Sequence, residues 1–424
     1  MDTREVSLIN RESPNQVDWL VIFLVLDVHE LKVEIEELKN KMKQIRLKDS
    51  VKIIFLKDTV QRIRGLNPLN YKFETYEFSY DASIKETIYC RINIPGLDYH
   101  HPSSYGDAII ILKHLFLAKN SVLVIWSHGN GIAINNKGRR QGNKSIKNDV
   151  KEINEDYDCK KIDYLFVSEI ANILQDRLPR QFDMIIVNSC NLQSIDACYI
   201  LKNITRFYIS PETGVMSDGY DFISFFLTIL KVNPDKVSYK EIISDLIEGY
   251  WKRNPLFAEH EAITALDLMF ISAAWCKNFT KLVDYLMKNY KITFPIISDI
   301  TNNQLNQLDS DSYFFDAVSL LRLFNKSIND PNFDVLFQNF KNGVMNNRVY
   351  HKIGKVILEE ERQSPQQYGI TSFFVYLYDP SAGVQKSTVF ECQYWKKSFP
   401  SAFVRDFEWS KLVVQYTRWI EARN

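Results

Sequence analysis

Four short runs constrain this chain most: Trp19–Leu26, Val51–Leu56, Ser121–Trp126 and Met184–Val187, each almost wholly apolar. A strand with one wet face alternates apolar with polar residues, so a run without alternation belongs to a strand covered on both faces, as in a parallel sheet between helices. The first run is eight residues long, too short to span a bilayer. Between the first two runs, Leu31, Ile35, Leu38, Met42 and Ile45 recur at steps of three and four with Glu and Lys between them, the stripe of an amphipathic helix. A partner-binding coiled coil would need a longer repeat than these two heptads, so the stripe is expected to pack on the sheet. The unit strand, helix, strand is expected to be right-handed.

Two of the runs end in reactive residues. Met184–Val187 runs into Asn188-Ser189-Cys190, and Ser121–Trp126 runs into Ser127-His128-Gly129-Asn130-Gly131. In open α/β sheets chemistry collects at the C-terminal strand edge, where exposed loops stand on a rigid base. A thiol there is a candidate nucleophile if an imidazole is close enough to handle its proton, and Cys190 and His128 would meet if their strands are neighbours. Taken alone, Cys190 reads equally as a core cysteine, since free cysteine is among the most buried residue types.

The pairing of Trp126-Ser127-His128-Gly129-Asn130-Gly131 with Cys190-Asn-Leu-Gln-Ser-Ile-Asp196 resembles the clostripain family of caspase-like cysteine peptidases. Ser210-Pro-Glu-Thr213, leading to Ser217-Asp218-Gly219-Tyr220, is similar to that family's Ser-Glu-Glu-Thr segment and its following Gly-aromatic pair. The resemblance continues through Ala265–Leu268, Tyr313–Asp316 and Gly369–Phe374. It implies a caspase-like α/β/α sandwich with a mostly parallel central sheet, and a cysteine endopeptidase with His128 and Cys190 as its catalytic pair. The backbone N–H groups of Gly129 and Cys190 would be the oxyanion donors. Four departures bear on specificity: Asn188 and Ser127 stand where the family has Asp, Asn191-Leu192 replaces Leu-Met, and Asp196 replaces Glu. The family's two-carboxylate floor for a basic residue would here be Asn188 and Asp218, so cleavage after Arg or Lys is expected with a weaker hold. Asp196 is expected to buttress the helix after the nucleophile. The alternative class is a caspase-like scaffold that binds a partner and cuts nothing.

The 424 residues suffice for a large core and two lobes, and 52 basic residues balance 52 acidic ones, so no global field argues for nucleic acid or a membrane surface. Residues 1–17 lack the apolar run of a signal peptide. Six cysteines (Cys90, Cys159, Cys190, Cys198, Cys276 and Cys392) show no zinc or disulfide-framework spacing. The expected compartment is a reducing cytosol. Gly129-Asn-Gly131 lacks the third glycine of a dinucleotide fingerprint, and no His-Glu-x-x-His occurs, so no cofactor and no metal site is expected. Calcium is the one ion the resemblance suggests, through acids in Asp149–Asp163. The expected partners are a protein or peptide substrate and a regulatory protein.

Along the remaining chain, Ile88, Cys90, Ile92 and Ile94 alternate with polar residues, and the expected hairpin turns near Asp81–Ser83. A polar segment, Asn135–Asp158, follows the histidine and crowds Lys137, Arg139, Arg140, Lys144, Lys147 and Lys151 into its first half. No aromatic residue interleaves with these cations before Tyr157, which argues against nucleic acid. The resemblance makes Arg139, Arg140, Lys144 and Lys147 candidates for activating self-cleavage. Helical spacing is read over Phe222–Leu230, Tyr239–Tyr250, Ala262–Ala274 and Phe279–Asn289, and strand over Tyr368–Tyr378. Pro234 is taken as the boundary between a peptidase core, 1–234, and a mixed helical and β C-terminal lobe, 235–424, packed on it.

Overall fold

The computed structural model describes residues 6–7, 15–26, 31–58, 73–94, 97, 104–130, 133–135, 164–216, 219–301, 314–355, 374–376, 403 and 406–423. Its strands are β1 (Val6–Ser7), β2 (Asn15–Val25), β3 (Val51–Asp58), β4 (Phe73–Asp81), β5 (Glu86–Asn93), β6 (Phe116–Trp126), β7 (His128–Asn130), β8 (Ala133–Asn135), β9 (Tyr164–Phe166), β10 (Phe182–Asn188), β11 (Thr205–Pro211), β12 (Ala262–Asp267), β13 (Phe314–Asp316), β14 (Arg348–Ile353) and β15 (Phe374–Tyr376). Ten of them form one sheet in the order β1-β5-β4-β3-β2-β6-β10-β11-β12-β14. The four apolar runs lie in the adjacent strands β3, β2, β6 and β10, all mutually parallel. The hairpin β4–β5 pairs antiparallel with β3 on one side; on the other, β11 continues the parallel set beyond β10, and β12 and then β14 follow it through antiparallel pairings.

Helices cover both faces, which is why the central strands show no alternation. Side chains of one parity (Val21, Phe23, Val124, Ile186, Ile209) meet α1 (Lys32–Met42), α5 (Phe222–Lys231) and α6 (Tyr239–Arg253). The other parity (Leu20, Ile22, Leu123, Ile185, Tyr208) meets α2 (Ser104–Leu115), α3 (Val167–Gln175) and α4 (Ile195–Leu201). The same core takes in α7 (Ala273–Lys288), α8 (Tyr290–Asp299), α9 (Ala317–Ile328), α10 (Pro331–Met345) and α11 (Trp409–Glu421). Rings join the two halves of the chain there: Tyr199 of α4 stacks edge-on to Phe407 at 4.8 Å, and Phe407 does so to Phe279 of α7 at 5.2 Å. No described helix is long and apolar enough to cross a membrane.

The expected helix at Ala262–Ala274 is instead β12, a short 3-10 turn at Leu268–Phe270, and the start of α7. Ala262–Leu266 is buried between β11 and β14, and a stretch with no wet face carries no period by which helix and strand can be told apart. Several strands were not anticipated, among them β14, a half-exposed edge strand, and the histidine's own β7, which pairs with β8 as β8 does with β9 in a small separate sheet. Of the expected strand at Tyr368–Tyr378, the described portion is β15, paired with β13.

Candidate active site

β6 and β10 are parallel neighbours with Trp126 opposite Asn188. The pairing persists one step past the strand, where Ser127 N–H donates to the Asn188 carbonyl at 3.2 Å. Both strands end at the pair Trp126 and Asn188, so Ser127-His128 and Ser189-Cys190 leave the sheet from adjacent strands at the same edge. His128 opens β7, and Gly129 beside it pairs with Ile134 of β8. Asp218, Arg139, Arg140, Lys144 and Lys147, and the acidic stretch Asp149–Asp163, lie outside the described residues. Among the described residues no three His, Cys, Asp or Glu side chains group as a metal site.

Cys190 is half-buried, and its Sγ touches the backbone of Val215 on both sides: Val215 N–H donates to the sulfur at 3.4 Å, and the thiol lies 3.6 Å from the Val215 carbonyl. The Val215 strip is itself held, because Met216 N–H donates to Tyr250 Oη at 3.2 Å and that hydroxyl donates to buried Glu261. The other thiols differ. Cys198 is fully buried and burial pushes it well up, and burial raises Cys276 also.

After Cys190 the chain turns sharply: Asn191 has φ +52° and is buried. Its N–H donates to the Thr213 carbonyl at 3.0 Å, Gln193 N–H donates to the Pro211 carbonyl at 3.1 Å, and Tyr208 Oη donates to the Leu192 carbonyl at 2.7 Å. Ser194 then caps α4, its Oγ accepting from Ala197 N–H at 3.0 Å, and buried Asp196 sits in that helix's first turn. A carboxylate there suits the helix dipole.

Beneath this turn lies Glu212, wholly buried, its Oε1 accepting from Thr264 Oγ1 at 2.9 Å. Thr264 Oγ1 also stands 2.6 Å from Nδ1 of His351 on β14. Burial first, and the nearby carboxylate of Asp316 second, push the Glu212 carboxyl well above its ordinary range. Asn188, at the end of β10, is buried with neither Oδ1 nor Nδ2 paired among the described residues, and its amide packs against Gly219. Sequence reasoning singled out Cys190, His128 and Asn188 and did not anticipate the contacts of Asn191 and Val215 with the Cys190 turn. Asn directly after Cys190 was a usable signal, because Asn tolerates the left-handed region better than other side chains.

The clostripain family model matches residues 32–419. The chain belongs to the clostripain family. As a member it is a cysteine-type peptidase, and its substrate is protein or peptide. Solved structures agree in fold. A secreted C11 cysteine protease from Bacteroides thetaiotaomicron superposes with TM-score 0.55 at 15% identity, covering 81% of this chain and 87% of that one. A secreted C11 protease from the same organism, in complex with an irreversible peptide inhibitor, gives 0.57 at 12%, covering 94% and 99%. An inactive zymogen C11 protease from Parabacteroides distasonis gives 0.52 at 11%, covering 82% and 85%. No curated protein matches the chain.

Proposed function

We propose that this clostripain-family chain is an endopeptidase working through Cys190 and His128, with a preference for a basic residue before the cut. The observation that carries this reading is the parallel register of β6 and β10, from which the two chains leave the sheet side by side at its C-terminal edge. The imidazole of His128 takes the thiol proton as Cys190 Sγ bonds to the scissile carbonyl carbon. The oxyanion is received by the N–H groups of Gly129 and Cys190, donors that in studied hydrolases are worth about 3–4 kcal/mol each. The C–N bond then breaks as His128 gives its proton to the leaving amine, and an acyl-enzyme remains. Water, deprotonated by the same imidazole, attacks that thioester. The C–S bond breaks and the thiol is restored.

For specificity, the unpaired buried amide of Asn188 supports a role in the pocket that receives the side chain before the cut. Its Oδ1 would accept from an Arg or Lys head, and Asp218 would supply the single charge-assisted partner, worth roughly 1.5–3 kcal/mol. Activation by cutting after Arg139, Arg140, Lys144 or Lys147 fits the basic composition of that loop. A regulatory partner protein is part of the same proposal. Buried thiols such as that of Cys198 suit a reducing, cytosolic setting.

The test is turnover of fluorogenic peptides that differ only at the residue before the cut. Wild type should cleave after Arg or Lys, and Cys190→Ala and His128→Ala should each lose activity while their melting temperatures stay within a few degrees of wild type. Equal turnover of neutral peptides would refute the basic preference, and full activity in either variant would refute the pair.

A further inference from the structure

The backbone immediately after Cys190 is in the left-handed region, where most side chains are strained, and the residue placed there is Asn191. Its side chain does more than tolerate the turn. With the amide oriented to satisfy its neighbours, Nδ2 donates to the Glu212 carbonyl at 3.2 Å and to the Thr213 carbonyl at 3.1 Å, and the backbone N–H adds the 3.0 Å bond to the same Thr213 carbonyl. One residue thus makes three bonds to the end of β11.

That end is in turn fixed to β12. Glu212 N–H donates to the Ala262 carbonyl at 2.9 Å, and Ala262 N–H donates to Thr213 Oγ1 at 2.9 Å. Two residues further along the same strip is Val215, whose backbone touches Cys190 Sγ. Asn191 therefore ties both ends of one short loop: the turn that carries the sulfur and the strip against which the sulfur rests. A leucine, which the family has at this position, could make neither side-chain bond.

We infer that Asn191 is a positioning residue for Cys190: its left-handed backbone and its two amide donations to 212 and 213 hold the sulfur against the Val215 backbone and beside the His128 strand. The inference rests on the proposed role of Cys190 as nucleophile, and it concerns geometry, not contact with substrate.

Three variants of the full chain separate the parts of this clip. Asn191→Gly keeps the left-handed backbone and deletes the side-chain bonds. Asn191→Ala deletes the bonds and strains the turn. Asn191→Asp keeps shape but turns an acceptor toward two carbonyl acceptors. Each is read three ways: the rate of Cys190 alkylation by iodoacetamide at fixed pH, kcat against KM on a fluorogenic peptide, and melting temperature. The expected order of alkylation and of kcat is wild type, then Gly, then Ala and Asp. The fall should be about fivefold or more for Gly, with KM within twofold and the melting temperature of the Gly variant within a few degrees of wild type. An Asp variant equal to wild type would show that shape alone matters and would overturn the inference. So would wild-type alkylation and kcat in the Gly variant, or losses that appear only in KM or only in step with melting temperature. If wild type cleaves no peptide yet the alkylation order holds, the peptidase reading fails and the positioning role stands.

Discussion

The amide of Asn188 is packed so closely on Gly219 that a Cβ added to the glycine would stand 2.0 Å from Nδ2 and 2.1 Å from Oδ1. Gly219 also has φ +57°, so two independent constraints exclude a side chain there. Gly219→Ala should lower the melting temperature by several degrees. About 1–2 kcal/mol of that comes from the left-handed backbone and the rest from displacing Asn188. Thermal unfolding of Gly219→Ala, Asn188→Ala and the double variant checks it: the double should recover the packing part and leave the backbone part. An unchanged single variant, or strictly additive losses, would show that the two residues are not coupled.

Restoring the acid at this position should sharpen specificity. If Asn188 floors the proposed pocket, Asn188→Asp adds a carboxylate there, and kcat/KM after Arg or Lys should rise about tenfold relative to neutral peptides, in keeping with one more charge-assisted bond. Asp218→Ala should lower the same ratio. Competition assays between Arg and Gln peptides read it directly, and an Asn188→Asp variant that loses its basic preference would remove Asn188 from the pocket.

The Glu212 carboxyl predicts a pH dependence of stability. Folded Glu212 keeps its proton above the usual value of 4.5 because burial and Asp316 penalise the charge. In the unfolded chain it ionises near that value. Between the two values the folded state binds more protons, so its stability falls as pH rises. Glu212→Gln keeps an oxygen for Thr264. The difference in melting temperature, Gln minus Glu, should therefore grow as pH rises from the usual carboxyl value of 4.5 towards neutrality. A difference that is flat across this range would mean that Glu212 is charged in the fold.

Self-cleavage has a simple readout. Mass spectrometry of purified wild type beside Cys190→Ala should find breaks between residues 137 and 151 only where the thiol is present. An intact wild type with full activity would remove the loop from activation.

Much of the fold could be read from the chain because its strands are covered on both faces. Trp19–Leu26, Ser121–Trp126 and Met184–Val187 could hardly be anything but central strands, and the residues after the last two leave the sheet at its C-terminal edge. The same physics hid β12: Ala262–Leu266 is equally covered, and without a flanking Gly or Pro its alanines and leucine read as helix. The half-exposed β14 gave no apolar signal at all. At the site, residue types pointed to His128, Cys190 and Asn188, but the bonds of Asn191 go to main-chain carbonyls at 212 and 213, and main-chain atoms leave no mark on a sequence. The hold of Val215 on Cys190 was hidden for the same reason.

The most direct test of the account is labelling with a peptidyl acyloxymethylketone carrying Lys before the warhead, followed by intact mass and peptide mapping. The account predicts one adduct, on Cys190, formed much faster than any modification of the buried Cys198 or of Cys276, and nearly abolished in His128→Ala. Labelling of Cys190 no faster than of Cys276, or labelling indifferent to His128, would contradict a peptidase built on this pair and leave a scaffold that cuts nothing.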